Sequence, residues 1–357
     1  MDFDRAALTS ARPSFAVAGN DESRLDAALI RLVVGAATDG VGHCEAEFSN
    51  WGDHQGATGF VWFDRDLLEF GKDFLVRIGS ATVFDGRIMA LEGRFPEASP
   101  PTIVVRAEDR LQDLRMTRRT RVFESVSDSD VVGQLADDHG LQKSVNLSGP
   151  THGVLAQVNQ SDLAFLRTRA LAADADVWLE GKTLHAAARA SRNDLQLELV
   201  HGARLRRFSV AADLAHQRTA VVCGGWDVAT KEAVASEATA SAVASEASDG
   251  TSGPDVLQQA LGERKDTIAH TVPFDDGAGR GLAEAHLRAL ARRFVRGRGV
   301  ADADARIRVG KRVTLKGLGP LFSGKYDVVE VSHRFDAAHG LWTEFVVERP
   351  FIGRAGP

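Results

Sequence analysis

The densest group of chemically active side chains in the sequence is an arginine cluster within the run RMTRRTR. Four guanidinium groups fall within seven residues, at Arg115, Arg118, Arg119 and Arg121. Guanidinium groups bind phosphates and also form forked ion pairs with carboxylates. Contact with nucleic acid usually requires a wider basic surface and stacking aromatic rings, whereas only Phe123 is near and acidic residues follow at once. The pattern therefore favours ion pairs at a domain or subunit boundary over nucleic-acid binding or a merely solvated run.

No other group of residues has the spacing of a catalytic, cofactor or metal site. The 11 histidines are scattered, and the sequence has no HExxH, no GxSxG and no cysteine pair spaced as metal ligands. The two cysteines, Cys44 and Cys223, are typical of a chain made in a reducing cytosol. GAGRG at 277–281 follows no predicted strand, so we interpret it as a loop. We expect no catalytic residues, no cofactor and no metal.

Composition and charge exclude several further classes. The chain has 357 residues and a net charge of -6, so no general basic field attracts it to nucleic acid or to an anionic membrane. The N-terminal run MDFDRAALTS lacks the apolar stretch of a secretory signal. No run approaches the roughly 18–20 apolar residues that cross a bilayer. We therefore predict synthesis in the cytoplasm, no membrane span, and about two or three domains for this length.

The elements that would position these residues change character along the chain. Residues 25–107 show strand-like alternation, as in FLVRIG and TIVVRAED, punctuated by Gly and Asp. Residues 114–200 change to a helical period. Ser127 and Ser161 each precede an acidic residue and an apolar stripe, so we predict that both cap helices bracing the flanking β regions. The strand-like run VWLEGKTLHAA follows, so the middle region is predicted to be a small α+β module.

Strands return from about residue 204 and continue to the C-terminus around one predicted helix at 281–296. Residues 229–254 interrupt them with Ala, Ser and Thr, and AVASEA occurs twice. Because its apolar side chains are small and offer little to bury, we predict that this segment is an exposed, flexible insertion.

An internal match links the two β regions. Residues 71–95 and 310–335 both run Gly-Lys, an alternating strand, Phe-x-Gly-basic, a second strand and Arg-Phe. The match favours duplication of a β-domain, although chance similarity of two glycine-punctuated hairpins would explain it as well. Its glycines, Gly86 and Gly324, either turn the hairpins or permit a close approach of the backbone at a contact surface.

Four segments, in order, resemble the phage late control D family of baseplate hub proteins, which is similar to the N-terminal part of VgrG spikes. The segments read RRTRVFESVSDSDVVGQLADDHGL, QSDLAFLRTRALAADADVWLEGKTLHA, VVCGGWDVATKE and VGKRVTLKGLGPLFSGKYDVVEVSHRFDAAHGLWTEFVVER. The resemblance implies a β-rich α+β fold in which two tail-tube-like β-barrels flank a small α+β insert. The expected domains are 1–113 (first barrel), 114–203 (insert) and 204–357 (second barrel, carrying the flexible segment 229–254).

The resemblance also implies a function and a set of partners. Such hubs are homotrimers in the baseplate of a contractile phage tail or contractile injection system, and their six barrels join a sixfold inner tube to a threefold spike. The implied partners are the inner tube ring above, a spike expected to be a separate protein below, and LysM-type and other baseplate proteins. The alternative is a particle-associated enzyme such as a cell-wall hydrolase, although the sequence nominates no catalytic cleft.

Overall fold

Residues 12–354 form a β-rich structure in the computed structural model, which describes all of them except residues 55, 192–193, 228–229, 248, 270, 272 and 274. The largest sheet in this part of the chain contains 13 strands. Its strands come from both β regions, and the helical module between these regions has small sheets of its own.

The first β region forms where apolar and polar side chains alternate. In FLVRI, for example, Phe74, Val76 and Ile78 are buried and the residues between them are half-buried. Phe15 contacts Phe48 with ring centroids 5.1 Å apart, at the centre of this core. The elements are β1 (Ser14–Val17), β2 (Asn20–Asp21), α1 (Ser23–Ala28), β3 (Leu29–Ala37), β4 (His43–Ser49), β5 (Trp51–His54), β6 (Ala57–Phe60), β7 (Asp73–Ile78), β8 (Ala81–Arg94) and β9 (Thr102–Glu108).

The middle module has its own apolar core, built from three helices and two small sheets among the described residues. Its elements are α2 (Leu111–Met116), β10 (Arg118–Val126), α3 (Asp128–Asp138), β11 (Gln142–Asn146), β12 (His152–Ser161), α4 (Asp162–Ala172), β13 (Ala175–Glu180), β14 (Thr183–Ala188) and a 3-10 turn (Arg189–Ser191). Strands β10 and β12 pair as an antiparallel ribbon, and β11, β14 and β13 form a three-stranded sheet in that order.

The second β region begins with β15, which already pairs with a strand of the large sheet. Its elements are β15 (Asp194–Val200), β16 (Leu205–Ala212), β17 (Ala220–Asp227), β18 (Glu232–Thr239), a 3-10 turn (Ala240–Val243), β19 (Gly250–Ser252), α5 (Gly253–Leu261), β20 (Lys265–Ile268), α6 (Asp276–Arg292), β21 (Val295–Asp302), β22 (Arg312–Lys316), α7 (Gly319–Phe322), β23 (Gly324–Asp336), β24 (Gly340–Arg349) and β25 (Phe351–Gly353). Because β15 lies before residue 203, the module ends earlier than its predicted boundary.

The two β regions repeat one strand order. In the first, β3, β4, β9, β8 and β7 are successive antiparallel neighbours, and in the second, β16, β21, β24, β23 and β22 are. A sixth strand extends each series, but β1 lies antiparallel to β7 whereas β15 lies parallel to β22. We call these two series the first and second β units. Their common order is what a duplicated domain would leave in the structure.

Equivalent backbone hydrogen bonds show which residues of the two units correspond. The Gly71 N–H donates to the Ile88 carbonyl at 2.8 Å, and the Gly310 N–H donates to the Val328 carbonyl at 3.0 Å. The pairing of β8 with β9 shifts register directly after Ile88, and the pairing of β23 with β24 shifts register directly after Val328. Ile88 therefore corresponds to Val328, and Gly86 corresponds to Tyr326 and not to Gly324. The sequence match placed the two hairpins and their Gly-Lys ends correctly, but it misaligned the second strand of each hairpin by two residues.

A single ladder joins the two units into one sheet. Strand β23 pairs antiparallel with β3, so that Glu330 lies opposite Ala37 and Asp336 lies opposite Arg31. Each unit therefore shares an unbroken hydrogen-bonded sheet with the other.

The prediction of an exposed, flexible segment at 229–254 is wrong for the residues that the structure describes. Strand β18 pairs with β17 along its length, and Ala238 and Val243 are buried beneath α6. The Ser236 hydroxyl donates to the Asp276 carboxylate at 2.7 Å. Small side chains let the strand approach the helix closely, and this packing does not require large apolar residues. Residues 229 and 248 lie outside the described residues.

Helix α6 also begins five residues earlier than predicted, so the loop interpretation of GAGRG is wrong. The Asp275 carboxylate accepts a hydrogen bond from the Ala278 N–H at 2.7 Å and caps the helix. This N-cap compensates for glycines that have poor helix propensity.

Candidate functional site and interaction surfaces

The arginine cluster lies at the start of the module, where α2 leads into β10. Arg115 pairs with Glu108 of the first β unit at 2.6 Å, across the predicted boundary. Arg119 and Arg121 instead pair within the module, with Asp162 at 3.2 and 3.0 Å. Arg118 donates to the backbone carbonyl of Asn159 at 3.1 Å. Within the described part of the chain, Arg115 is therefore the member of the cluster that forms the cross-boundary ion pair predicted from the sequence.

Asp162 is the centre of this network and its side chain is almost fully buried. Burial opposes its ionisation, but hydrogen bonds from Gln157 and His139 and the charges of Arg121 and Arg119 outweigh burial and lower its pKa. The carboxylate therefore stays ionised and fixes the guanidinium groups at the base of the ribbon. Arginines that are held in this way stabilise the module and leave little charge available for phosphate.

Both predicted caps are at the positions that the sequence indicates. Ser127 accepts from the Asp130 N–H at 3.2 Å, and the Asp130 carboxylate accepts from the Ser127 N–H at 2.8 Å, which completes a capping box. The Ser161 hydroxyl accepts from the Ala164 N–H at 3.2 Å. The helices that follow pack against each other and against the ribbon.

The outer face of the β10–β12 ribbon is apolar and open to solvent. Val122, Val154 and Val158 are each more than half exposed. The opposite face is buried, because Phe123 stacks on Phe165 with ring centroids 5.6 Å apart and the planes inclined by 9°. A ribbon with one buried and one exposed apolar face is a candidate contact surface.

A second exposed apolar surface lies at the β5–β6 hairpin, which stands apart from the large sheet. We call it the aromatic patch and define it as Trp51, Phe60, Phe63 and Phe95. The Phe60 ring lies 5.4 Å from Trp51, 5.0 Å from Phe63 and 6.2 Å from Phe95. Trp51, Phe60 and Phe95 remain 46%, 43% and 65% exposed. Clustered exposed aromatic rings are typical of protein–protein contact sites.

The two predicted glycines are constrained by their own chain. A Cβ at Gly86 would lie 2.2 Å from the Glu108 carbonyl oxygen, a backbone atom that cannot move aside. Gly324 has φ +133°, and a Cβ there would lie 3.0 Å from the Arg349 guanidinium. The geometry therefore favours a role in the fold at both positions over a role in contacts between subunits.

The described residues offer little chemistry of other kinds. In that part of the chain, no group of three His, Cys, Asp or Glu side chains is placed to hold a metal ion. Nor does any of its helices combine the length and apolarity needed to cross a bilayer. Cys44 and Cys223 are buried, and burial raises the pKa of both thiols.

The predicted site residues do not come together as one site. Arg118, Arg119, Arg121 and Ser161 share the base of the ribbon, whereas Gly86 and Gly324 lie in separate β units. Sequence reasoning missed the aromatic patch, because its members come from two hairpins and their exposure depends on tertiary packing. The concentration of Trp and Phe between residues 51 and 63 is the signal that could have indicated it.

Comparison with solved structures shows that the chain shares the fold of phage tail and related secretion proteins. The 43 kDa tail protein of prophage MuSo2 from Shewanella oneidensis superposes with a TM-score of 0.71 and 14% identity, over 96% of this chain and 99% of that one. The tail protein from Neisseria meningitidis MC58 gives 0.72 and 12%, over 95% and 96%. The E. coli c3393 protein, a component of the type VI secretion system, gives 0.57 and 10%, over 92% and 76%.

A search of curated proteins gives no match to this sequence. The sequence model of the family described as "Alg8 N-terminal domain" matches residues 57–337, which is most of the chain. The chain belongs to this Alg8 N-terminal domain family.

Proposed function

We propose that the chain is the structural hub subunit of a baseplate, in a contractile phage tail or a contractile injection system. Three copies would form a ring that joins a sixfold inner tube above to a separate threefold spike below. Neighbouring LysM-type and other baseplate proteins would complete the assembly. The role is structural, without catalysis, cofactor or nucleic-acid binding, and the chain would be made in the cytoplasm.

The repeated strand order carries this proposal. One chain contains two β units with the same five-strand series, on a fold shared with tail proteins over nearly its whole length. Three such chains would present six similar units around an axis, and this arrangement would match a sixfold ring to a threefold one. The ladder between β23 and β3 would hold each pair of units at a fixed spacing.

The aromatic patch is the surface that we assign to contact between copies. Interfaces of permanent homo-oligomers are more apolar than the remaining surface, and large aromatic side chains supply much of their binding energy. Trp51 and Phe60 stand on a hairpin outside the large sheet, and Phe95 follows the last residue of β8, so burial of the patch against a neighbour would leave the ladder between the units unchanged.

The test is the mass of the purified protein in solution, measured by light scattering and native mass spectrometry. We expect a trimer for the natural chain and a monomer for Phe95→Asp, with unchanged circular dichroism. Phe70→Asp is the matched control, because Phe70 is also about half exposed but belongs to no ring contact of the patch. It should remain trimeric.

Two outcomes would contradict the proposal. A monomer within purified particles would exclude the trimeric ring. Release of soluble fragments from peptidoglycan by the purified protein would support the hydrolase alternative instead. A trimer that survives Phe95→Asp would keep the hub but would place its contacts elsewhere than the aromatic patch.

A further inference from the structure

A cavity of about 400 Å³ lies where the module meets the two β units. One wall is the polar face of the β11–β14–β13 sheet, and the other is formed by β3, the loop after it and the loop before β22. This volume is within the range of sites that bind small molecules. None of the interactions assigned above uses this cavity.

Two cations face the cavity without a carboxylate partner among the described residues. Among the residues that the structure describes, Arg308 donates to the backbone carbonyls of Ala305 and Thr82, at 2.8 Å each. Lys311 lines the same wall, and its ammonium group forms no ion pair or hydrogen bond with another side chain in the described part of the chain. Both side chains are only partly exposed, so water compensates their charge incompletely.

A lysine stands at the equivalent position of both β units, but the two lysines have different contacts. Gly71 corresponds to Gly310, so Lys72 corresponds to Lys311. Lys72 donates to the Asp66 carbonyl within its own loop at 2.5 Å. Lys311 has the same backbone setting and lines the cavity, and its side chain forms no hydrogen bond or ion pair with another of the described residues. The equivalent residue is used within the fold in one unit and left available in the other.

The acidic residues of the cavity already have partners. Asp109 accepts the N–H groups of Gly42 and Leu111 at 2.8 and 2.9 Å. Asp176 pairs with Arg189 at 2.8 Å. Glu180 accepts the indole N–H of Trp178 at 3.2 Å, at the rim. Each of these carboxylates therefore already accepts hydrogen bonds within the fold, whereas Lys311 is a lining cation without a side-chain partner among the described residues.

Neutral groups complete the surface opposite the cations. Ser144 and Asn146 line the cavity, and neither side chain bonds to another of the described residues. Trp178 stacks on His185 with centroids 5.1 Å apart and planes inclined by 10°, which forms a flat wall beside them. An anion that reached Lys311 would therefore find a hydroxyl, an amide and an aromatic surface within the same cavity.

We propose that this cavity binds a carboxylate-bearing ligand, whose carboxylate is held by Lys311 and Arg308 while Ser144 and Asn146 bond its other polar atoms. The carboxylate could belong to a small free acid or to an acidic side chain in an extended segment of a protein partner. Both sources present the same group to the same cations. A small acid and a peptide segment differ in length and in the number of carboxylates, so an experiment can separate the two sources.

The test is titration calorimetry of the full chain with three probes. The probes are glutarate, a hexaglutamate peptide with acetylated and amidated ends, and the corresponding hexaglutamine peptide. We expect saturable binding of an acidic probe, weakened about ten-fold or more in Lys311→Gln, because that variant loses a hydrogen bond between two charged groups. Lys143→Gln is the matched control, since Lys143 belongs to the same sheet as Ser144 but pairs with Asp137. It should bind as the natural chain does.

The outcomes separate the two sources of the carboxylate and also test whether the cavity binds a carboxylate at all. Binding of hexaglutamate alone would identify a protein segment as the source, whereas binding of both acids would identify a free carboxylate. Lys311 lacks a side-chain partner, so Lys311→Gln should fold normally, and circular dichroism would check this; Asn146→Ala provides a second, uncharged variant with weaker binding. Failure of both acidic probes, equal binding of hexaglutamine, or unchanged binding by Lys311→Gln would overturn the proposal. None of these results depends on whether the chain forms a trimer.

Discussion

Replacing Arg292 with methionine should remove the guanidinium that pairs with two partly buried carboxylates. Arg292 is 2% exposed at the end of α6. Its guanidinium pairs with Asp174 of the module and, at 2.6 Å, with Glu246 of the segment after β18. Burial disfavours its charge, but the hydrogen bonds that it donates to Glu246 and Asp174 outweigh burial and raise its pKa. One side chain thus joins three regions of the chain.

The expected loss of stability follows from the burial of these groups. Removing one partner from a buried ion pair costs roughly 3–5 kcal/mol, because the remaining charge has no compensation. Asp174 and Glu246 keep 14% and 15% of their side-chain surface exposed, and Arg288 lies 3.6 Å from Asp174. Both features reduce the penalty, so we expect the lower end of that range, about 3 kcal/mol.

Urea unfolding followed by circular dichroism measures this loss. Arg280→Met is the matched control on the same helix, because Arg280 is 67% exposed and pairs with Asp276 in solvent. We expect the control to change the free energy of unfolding by less than about 0.5 kcal/mol. If Arg292→Met unfolds at the same urea concentration as Arg280→Met, the network contributes nothing and the reasoning is wrong.

Three further predictions concern single positions. Ser127→Ala should lower the free energy of unfolding by about 1 kcal/mol through loss of the capping box, whereas Ser127→Thr, which keeps the hydroxyl, should lose less. Gly86→Ala should lower it by roughly 1–3 kcal/mol, because the new Cβ meets the Glu108 carbonyl; Gly59→Ala, with open space around it, is the control. Burial lowers the pKa of His333 to about 4. Stability should therefore fall as pH drops from about 6.5 to about 4, by roughly 3 kcal/mol, and His333→Gln should remove that loss.

Urea midpoints across these variants check all three predictions. A midpoint for Ser127→Ala equal to that of Ser127→Thr would show that the cap contributes nothing. Equal midpoints for the two glycine variants would mean that the strands around Gly86 can separate without cost. For His333, the sign follows from proton binding: the unfolded chain takes up a proton between the two pKa values, so acid favours unfolding there. The same pH dependence in His333→Gln would assign it to other groups.

Local sequence patterns predicted the features that depend on local physics. Alternation in FLVRIG predicted β7, and the serine-acid pairs predicted the caps at Ser127 and Ser161, because strand period and capping involve residues only a few positions apart. The internal match also predicted two related hairpins, because each hairpin is formed by residues that are close in the sequence. Their register was misassigned, since hydrogen bonding to a distant strand sets it, and no local pattern records that pairing.

Features that depend on tertiary packing could not be predicted. The Ala/Ser segment looked unable to bury surface, but close approach of α6 makes small side chains suitable for a core. Arg119 and Arg121 were expected to cross a boundary, and their acceptor Asp162 lies on a strand-to-helix junction that only the folded module brings near. The aromatic patch and the cavity each combine residues from separate elements, so neither has a motif.

The ladder between β23 and β3 also constrains how the chain can fold during synthesis. Strand β3 leaves the ribosome early, while β23 is among the last strands made. Until then, the edge of β3 that faces β23 has unpaired backbone groups, which can pair with another chain. Long-range strand pairing of this kind forms slowly. We therefore expect truncated or slowly translated chains to aggregate through β3, and expression with chaperones to increase the soluble yield.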